Sequence, residues 1–429
     1  LPALLWWWLL AQPLDALLPY LERSFEVTRG YAQAMSLPTR EGVAIGLGFA
    51  GLGLAWLSWQ QVRSLPTGPW RRFAWPSFVL FSMMIAWRHS VTRGDGEHLV
   101  IGLSYFGALA LHALVLGSAH KRLALGIAAL CLVGVVINVR RVDSNFMNGH
   151  PVARIPALVY GLGTLVQGHS PCAQLDAALQ AQIAQARADH PSLRSLPGGF
   201  DILGYDHDLL LATDMREWKP RPVFQSYSVY TPKLADLNAR FLASSAAPRW
   251  LIAPVQTIDG RLPTMDDAAL WPLLRIHYRV HTRSKTELLL ERRPTAADMP
   301  PTGFSAIDVP LSDWTRLPPI ASAAAVYARL QYEEPVWRHW LDGVWQPAQY
   351  YLEYRAHVNA AAQRFRVVPE IARGGFLLLP ILTDADALAE WIEHPQAPIA
   401  TDGEWRFTDR SGTPVAARLT LCPSIACTP

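Results

Sequence analysis

Two regimes of hydrophobic patterning meet near Arg140 of this 429-residue chain. Before that point, apolar runs recur at roughly Leu1–Leu21, Val43–Trp59, Phe73–Trp87, His98–Gly117 and Leu123–Val139, with little charge inside them and Trp at several ends. A bilayer core about 30 Å thick asks for about 20 apolar residues per helix, so the pattern predicts five membrane-spanning helices. The third run is short and would reach the interface through its flanking Trp and Arg side chains. The chain opens at Leu1 in mid-run and without Met, so the expectation is a longer, N-terminally truncated protein.

The basic loops orient these spans. Arg63, Arg71 and Arg72 lie in one inter-helix loop and Lys121 with Arg122 in another, and the positive-inside rule places both in the cytoplasm. Alternation then puts residues 22–41, the segment Arg88–Glu97 and everything after Arg140 on the far side. The expected location is a bacterial inner membrane with the C-terminal half periplasmic.

After Arg141 the pattern changes to that of a soluble protein. A tether and amphipathic helix (residues 141–195, the helix at Ala173–His190) precede alternating elements over 196–298. Strands are predicted at Phe200–Tyr205, Val223–Tyr230, Trp250–Val255 and Thr286–Glu291, and helices at His207–Thr213, Pro232–Ser244 and Asp266–Tyr278. Such alternation implies a mostly parallel, three-layer α/β domain. Over 299–429, short β-type runs at Val326–Gln331, Tyr350–Val358, Arg364–Val368, Phe376–Ile381, Trp405–Thr408 and Val415–Leu421 are separated by Pro-rich turns, with one helix at Ala385–His394. That implies a β-rich, sandwich-like end. The predicted fold is therefore a multispan α-helical region (1–140) followed by a periplasmic α/β domain and a β-rich C-terminal domain.

Net charge is +3 and the chain has 4 cysteines. Without a Lys/Arg-rich helix or an aromatic-plus-basic repeat, nucleic acid is excluded as a partner. In an oxidising compartment Cys422 and Cys427 are close enough in sequence to pair, with Cys172 as a competitor.

The candidate chemistry concentrates in Arg88–His98, read as a charged loop between two apolar runs, because charge at that depth is costly and usually functional. Arg88, His89 and Arg93 have the donors to clamp a phosphate. Asp95, Glu97 and His98 would suit a divalent metal, or Asp95 with His98 would supply a general base. A solvated hairpin turn around Gly94 and Gly96 is the competing explanation. Two further polar groups follow predicted strands, where α/β sheets place ligands. Gln225, Tyr227 and Tyr230 would suit sugar hydroxyls, with Arg221 beside them as a further substrate-binding candidate, unless the segment is a structural strand whose Arg221 tethers a neighbouring loop. Asp259 and Arg261 flank a turn signal at Asp259-Gly260, beside Asp266 and Asp267.

The segments "WRHSVTRGDGEH", "KPRPVFQSYSVYTPKLADLNARF", "QTIDGRLPTMDD" and "FRVVPEIARGGFLLLP" resemble matching segments in a family of uncharacterised bacterial polytopic membrane proteins, from about Trp75 to Pro380. Arg88, His89, Arg93, Asp95, His98, Arg221, Gln225, Ser226, Tyr227, Asp259 and Arg261 fall on those motifs. The chain is more loosely similar to GT-C class glycosyltransferases, which use polyprenyl-phosphate sugars, although their acidic residue of the first external loop has no counterpart here. The resemblance implies a membrane-embedded enzyme of envelope glycan assembly, acting on a lipid-linked sugar donor and a glycan acceptor. The rival expectation is a non-catalytic envelope protein whose periplasmic part binds polysaccharide or an assembly partner.

Overall fold

The computed structural model describes residues 7–38, 41–64, 68–115, 120–139, 159, 163, 172–205, 207–284, 286–298, 305–320 and 323–424. The chain divides into two compact units, one formed by Met35–Leu175 with Pro335–Pro347, the other by Leu1–Ala34, Asp176–Glu334 and Ala348–Pro429. The first is called the helical unit below and the second the sheet unit. Most of the tether read at 142–170 lies outside the described residues.

The N-terminal half is helical: α1 (Leu17–Met35), α2 (Glu41–Ser64), α3 (Pro69–Thr92), α4 (Gly96–Val115) and α5 (Lys121–Val139). Helices α2 to α5 share a core of Leu47, Leu54, Met83, Leu99, Phe106 and Ile127. Gly102 sets the approach of α4 to α3, since a Cβ there would stand 1.7 Å from Ser90 Oγ. Small residues at helix contacts allow such spacing. Yet much of the apolar surface of these helices faces outward, with Phe49 69 % and Leu132 64 % exposed. Among the described residues two helices, Gly96–Val115 and Lys121–Asn138, are long and apolar enough to cross a membrane.

The first predicted span is corrected. The chain turns at Ala11 (φ 51°) and Pro13, makes a short 3-10 turn at Leu14–Ala16, and only then enters α1. Proline has no N–H to continue a helix. Helix α1 carries Glu22, Arg23, Glu26 and Arg29 and, but for Met35, belongs to the sheet unit.

In the sheet unit, α6 (Cys172–Asp189) precedes β1 (Phe200–Ile202), α7 (Pro232–Ala243), β2 (Trp250–Pro254), α8 (Trp271–His277), β3 (Tyr278–Arg283) and β4 (Glu287–Arg292). The sheet order is β1-β2-β4-β3. Only β1 and β2 run parallel; β2–β4 and β3–β4 are antiparallel. The expectation of a mostly parallel sheet therefore fails. Its cause is β3, which begins where the Asp266–Tyr278 helix was expected to end and reaches β4 through a hairpin instead of a helical crossover.

The predicted strand Val223–Tyr230 is also absent. Its backbone makes a 3-10 turn at Ser226–Ser228, and its N–H groups are taken up singly: Val223 N donates to Asn238 Oδ1 at 2.9 Å and Ser226 N to Gly204 O at 3.2 Å, while just before it Arg221 N donates to Asp201 Oδ2 at 3.2 Å. Pro220 and Pro222 have no N–H for a ladder. Helix α7 starts as its sequence predicts, with Thr231 capping Leu234 N and Pro232 in the first turn.

The C-terminal part holds β5 (Ile307–Leu311), β6 (Thr315–Arg316), β7 (Val326–Tyr332), α9 (Val336–Val344), β8 (Tyr350–Arg355), β9 (Gln363–Arg366), α10 (Pro369–Gly374), β10 (Phe376–Leu379), α11 (Ala385–Glu393), β11 (Glu404–Asp409) and β12 (Ala417–Cys422). It is β-rich, in two four-stranded sheets ordered β10-β7-β12-β5 and β6-β11-β8-β9, with every pairing antiparallel. Tyr332 on β7 meets Tyr350 and Phe407 of the second sheet. Buried Cys422 is disulfide-bonded, while Cys427 lies outside the described residues.

One apolar core crosses the boundary expected at 298/299. It joins Leu251, Leu288 and Leu290 of the first sheet to Tyr327, Leu377 and Leu388 of the C-terminal elements. The opposite face of that sheet packs Phe200, Ile202 and Ile252 against Leu193 and Ala212. Leu290 is fully buried in the shared core. Replacing it with Ala is expected to lower stability by about 2–5 kcal/mol through lost burial and the cavity left behind. Denaturant unfolding of the full chain in detergent measures the loss, and a change below about 1 kcal/mol would contradict the shared core.

Candidate functional site

The segment Arg88–His98 is mostly helix. Helix α3 continues through Thr92 and α4 begins at Gly96, so the expected loop reduces to Arg93-Gly94-Asp95. Asp95 caps α4: its Oδ1 accepts from His98 N at 3.0 Å and contacts His98 Nδ1 at 2.7 Å, and its Oδ2 accepts from Arg93 Nε at 3.1 Å. Burial opposes ionisation of Asp95, but the His98 and Arg93 bonds outweigh it and hold the carboxyl below its ordinary range. His89 brings its ring 4.6 Å from that of His98.

Arg88 points elsewhere. Its Nη1 donates to Asp342 O at 2.8 Å and Trp345 O at 2.7 Å, carbonyls at the C-terminal end of α9. Cations are favoured there by the helix dipole. The structure therefore joins Arg93, Asp95, His98 and His89 but does not form a clamp of Arg88, His89 and Arg93. Gln346 donates to Leu37 O and Val91 O, and Leu37 N to Thr92 O at 2.9 Å, so the carbonyls ending α3 are satisfied and the turn is rigidly held. Glu97 sits in the first turn of α4. Among the described residues, no three His, Cys, Asp or Glu side chains are placed to hold a metal ion.

In the sheet unit, the predicted ligand-binding arginines are internal. Arg221, 1 % exposed, contacts Asp201 Oδ2 at 2.8 Å and Asp267 Oδ2 at 3.3 Å, and donates to Phe224 O at 2.7 Å and Ser226 Oγ at 3.0 Å. It ties the Pro220–Ser228 loop to the end of β1. Arg261 bonds Asp266 Oδ1 at 2.9 Å, Tyr227 O at 3.1 Å and Ala34 O at 2.6 Å. Arg366, which the sequence reading passed over, contacts Asp259 Oδ2 at 3.3 Å and donates to Gln33 O at 3.0 Å. Arg261 and Arg366 thus close the C-terminal end of α1. Neither Arg221 nor Arg261 is presented to solvent, and both act as tethers.

What these tethers build is a cleft of about 810 Å³ between the start of α1 and the Pro222–Ser228 loop. Trp7, Tyr20 and Phe224 supply aromatic lining; Asp15, Arg23 and Gln225 supply polar groups. Trp7 and Tyr20 rings lie 5.1 Å apart. Gln225 is the predicted residue that reaches the cleft, and Tyr227 stands behind it, donating its hydroxyl to Gln225 Oε1 at 3.1 Å. Trp7, Asp15 and Tyr20 were missed because their segment was read as a span, in which the polar Asp15 was the available signal; Arg23 fell in the loop read after it. With this geometry in view, comparisons with protein-family models, curated proteins and solved structures yield no match to the chain.

The buried charges predict a pH effect. Burial pushes the Asp267 carboxyl up to about 7; Arg221 and Asn238 oppose the shift, and Asp201 and Asp266 add to it. Asp267 also holds a left-handed backbone conformation (φ 53°). The folded state binds this proton more tightly than an unfolded chain, whose carboxyl keeps the ordinary value of 3.8. The Asp267 contribution to stability is therefore full below about pH 4 and declines as pH rises to about 7, by at most about 4 kcal/mol. Melting curves at pH 5 and pH 8 should show a smaller loss on raising pH in Asp267→Asn than in the parent. An equal loss in both would remove Asp267 as the source.

Proposed function

We propose that this is a membrane-anchored, glycan-handling protein of the bacterial cell envelope, in which the cleft of the sheet unit binds sugar. One observation carries the reading: Trp7, Tyr20 and Phe224 line the same cleft as Gln225, Asp15 and Arg23. Aromatic faces stack on the C–H faces of a sugar ring while amide, carboxylate and guanidinium groups meet its hydroxyls. The volume falls within the range of small-molecule sites, about 300–1,000 Å³.

Membrane anchoring draws on the helical unit. Exposed Phe49, Leu52, Phe81 and Leu132 give helices α2 to α5 a surface suited to lipid. Topology supports four crossings in place of five. Residues 1–34 share one compact unit with 176–334 and 348–429, an arrangement that favours an even number of crossings between them. The positive-inside rule applied to the basic loops favours a periplasmic sheet unit. Alkaline phosphatase fused after Ser170 is expected to be active and a fusion between Arg63 and Arg72 inactive; the reverse pattern would invert the orientation.

Binding is testable directly. Titrating envelope oligosaccharides into the detergent-solubilised full chain should show affinity that falls at least about tenfold, roughly 1.4 kcal/mol, in Phe224→Ala and in Gln225→Ala. Undiminished affinity in both variants would remove the cleft from the proposal.

A second reading, a glycosyltransferase-like enzyme using a lipid-phosphate sugar, is favoured by the Asp95–His98 contact of 2.7 Å beside His89. The roles then shift from those expected: Asp95 orients the ring, and His98 is the base. In this reading His98→Ala lowers envelope glycan output by roughly 10²–10⁴-fold in rate; an unchanged glycan profile in a strain carrying only that variant would end it.

A further inference from the structure

Helix α9, part of the helical unit, turns its apolar side outward. Val336 and Trp337 stand four and three residues before Trp340, so the three share one side of the helix. Trp340 is 80 % and Trp337 59 % exposed. The charged pair is the more enclosed one: Arg338 Nε lies 3.7 Å from Asp342 Oδ1, with side-chain exposures of 30 % and 14 %. A helix on the surface of a water-soluble domain does the reverse, hiding its apolar stripe and showing its charges. The surroundings of α9 on its Trp side are therefore not plain water.

Its place in the helical unit identifies what covers that side. The helix is held where α3 gives way to α4. Arg88 Nη1 reaches the carbonyls of Asp342 and Trp345, the Trp345 ring lies 5.8 Å from that of Trp87, and Gln346 donates to Val91 O in the last turn of α3. Phe81, Met84 and Ile85 precede Arg88 by seven, four and three residues, on the same side of α3, and all three are exposed. An apolar stripe thus runs along α3 and ends at the arginine that carries α9.

A bilayer around that stripe would have its polar boundary at the α3–α4 turn, the level of α9. Tryptophan gathers at such boundaries, because its ring favours the acyl region while its N–H needs a polar partner. A short amphipathic helix lying there sinks its apolar face about 5–10 Å into the boundary between headgroups and acyl chains.

We propose that α9 is an interfacial helix, whose Val336, Trp337 and Trp340 enter the phospholipid leaflet on the side of the α3–α4 turn. The proposal rests on the reading of α2 to α5 as lipid-embedded, and adds a membrane contact made by a segment far along the chain from those helices.

Photocrosslinking of the full chain in vesicles of phosphatidylethanolamine and phosphatidylglycerol tests it. With p-benzoylphenylalanine in place of Trp340, irradiation should give a lipid adduct, read by mass spectrometry, in at least tenfold higher yield than at Val358, an exposed position of the sheet unit. Trp337, replaced in the same way, should behave like Trp340. Phe81 on α3 is the control for the underlying reading. An adduct at Phe81, with Trp340 and Trp337 no higher than Val358, would overturn the interfacial helix and leave the lipid-embedded helices standing. No adduct at any of the three would overturn both. Cross-linking of Trp340 to a second copy of the chain in place of lipid would assign this face to protein and overturn the proposal too.

Discussion

The sheet unit depends on arginines held inside it. Arg221, Arg261 and Arg366 are each nearly inaccessible and each meets an aspartate, respectively Asp201, Asp266 and Asp259. A planar, always-charged donor fork can satisfy a carboxylate and several carbonyls at once. These three do so where the chain has no ladder to join: the Pro220–Ser228 loop, the Asp259-Gly260 turn and the C-terminal carbonyls of α1. Removing one guanidinium would strand a buried carboxylate, a larger penalty than the pair's own net contribution. Loop, turn and N-terminal helix are thereby locked into one body, and the aromatic cleft exists because they are.

The same device recurs in the helical unit, where Arg88 binds the carbonyls at the end of α9 and Asp95 caps the start of α4. Charges near an expected membrane boundary here have a structural occupation first. That narrows the candidate chemistry to His98, oriented by Asp95, and away from a three-residue phosphate clamp. Polar groups that neutralise helix ends resemble, in sequence alone, groups that bind ligand, because both need fixed charge beside apolar runs.

Much of the architecture was legible. Strands β1, β2, β4, β7, β8, β9, β10, β11 and β12 and helices α6, α7 and α11 follow from alternation, helical spacing and caps such as Thr231-Pro232. The failures share a cause. Val223–Tyr230 has β-type composition, yet its N–H groups find Asn238 and Gly204 instead of a neighbouring strand, and sequence composition does not reveal partners 15 or 22 residues away. Tyr278–Arg283 was not read as a strand, the preceding helix being carried to Tyr278, and with it went the antiparallel half of the sheet. Leu1–Leu21 has the hydropathy of a span, but Pro13 and the polar residues around it break the helix.

By itself the sequence determined the helical character of the first part and the β-rich character of the last, because these follow from local periodicity and composition. It also marked Arg221, Gln225, Asp259 and Arg261 as unusual. Only the tertiary structure decided that Gln225 faces a cleft while Arg221 and Arg261 are enclosed, and that α1 lines that cleft instead of continuing a span. Which side of a polar side chain meets solvent depends on partners distant in sequence, such as Asp201 for Arg221 and Ala34 for Arg261. Burial of charge is settled only when every partner of that charge is in place.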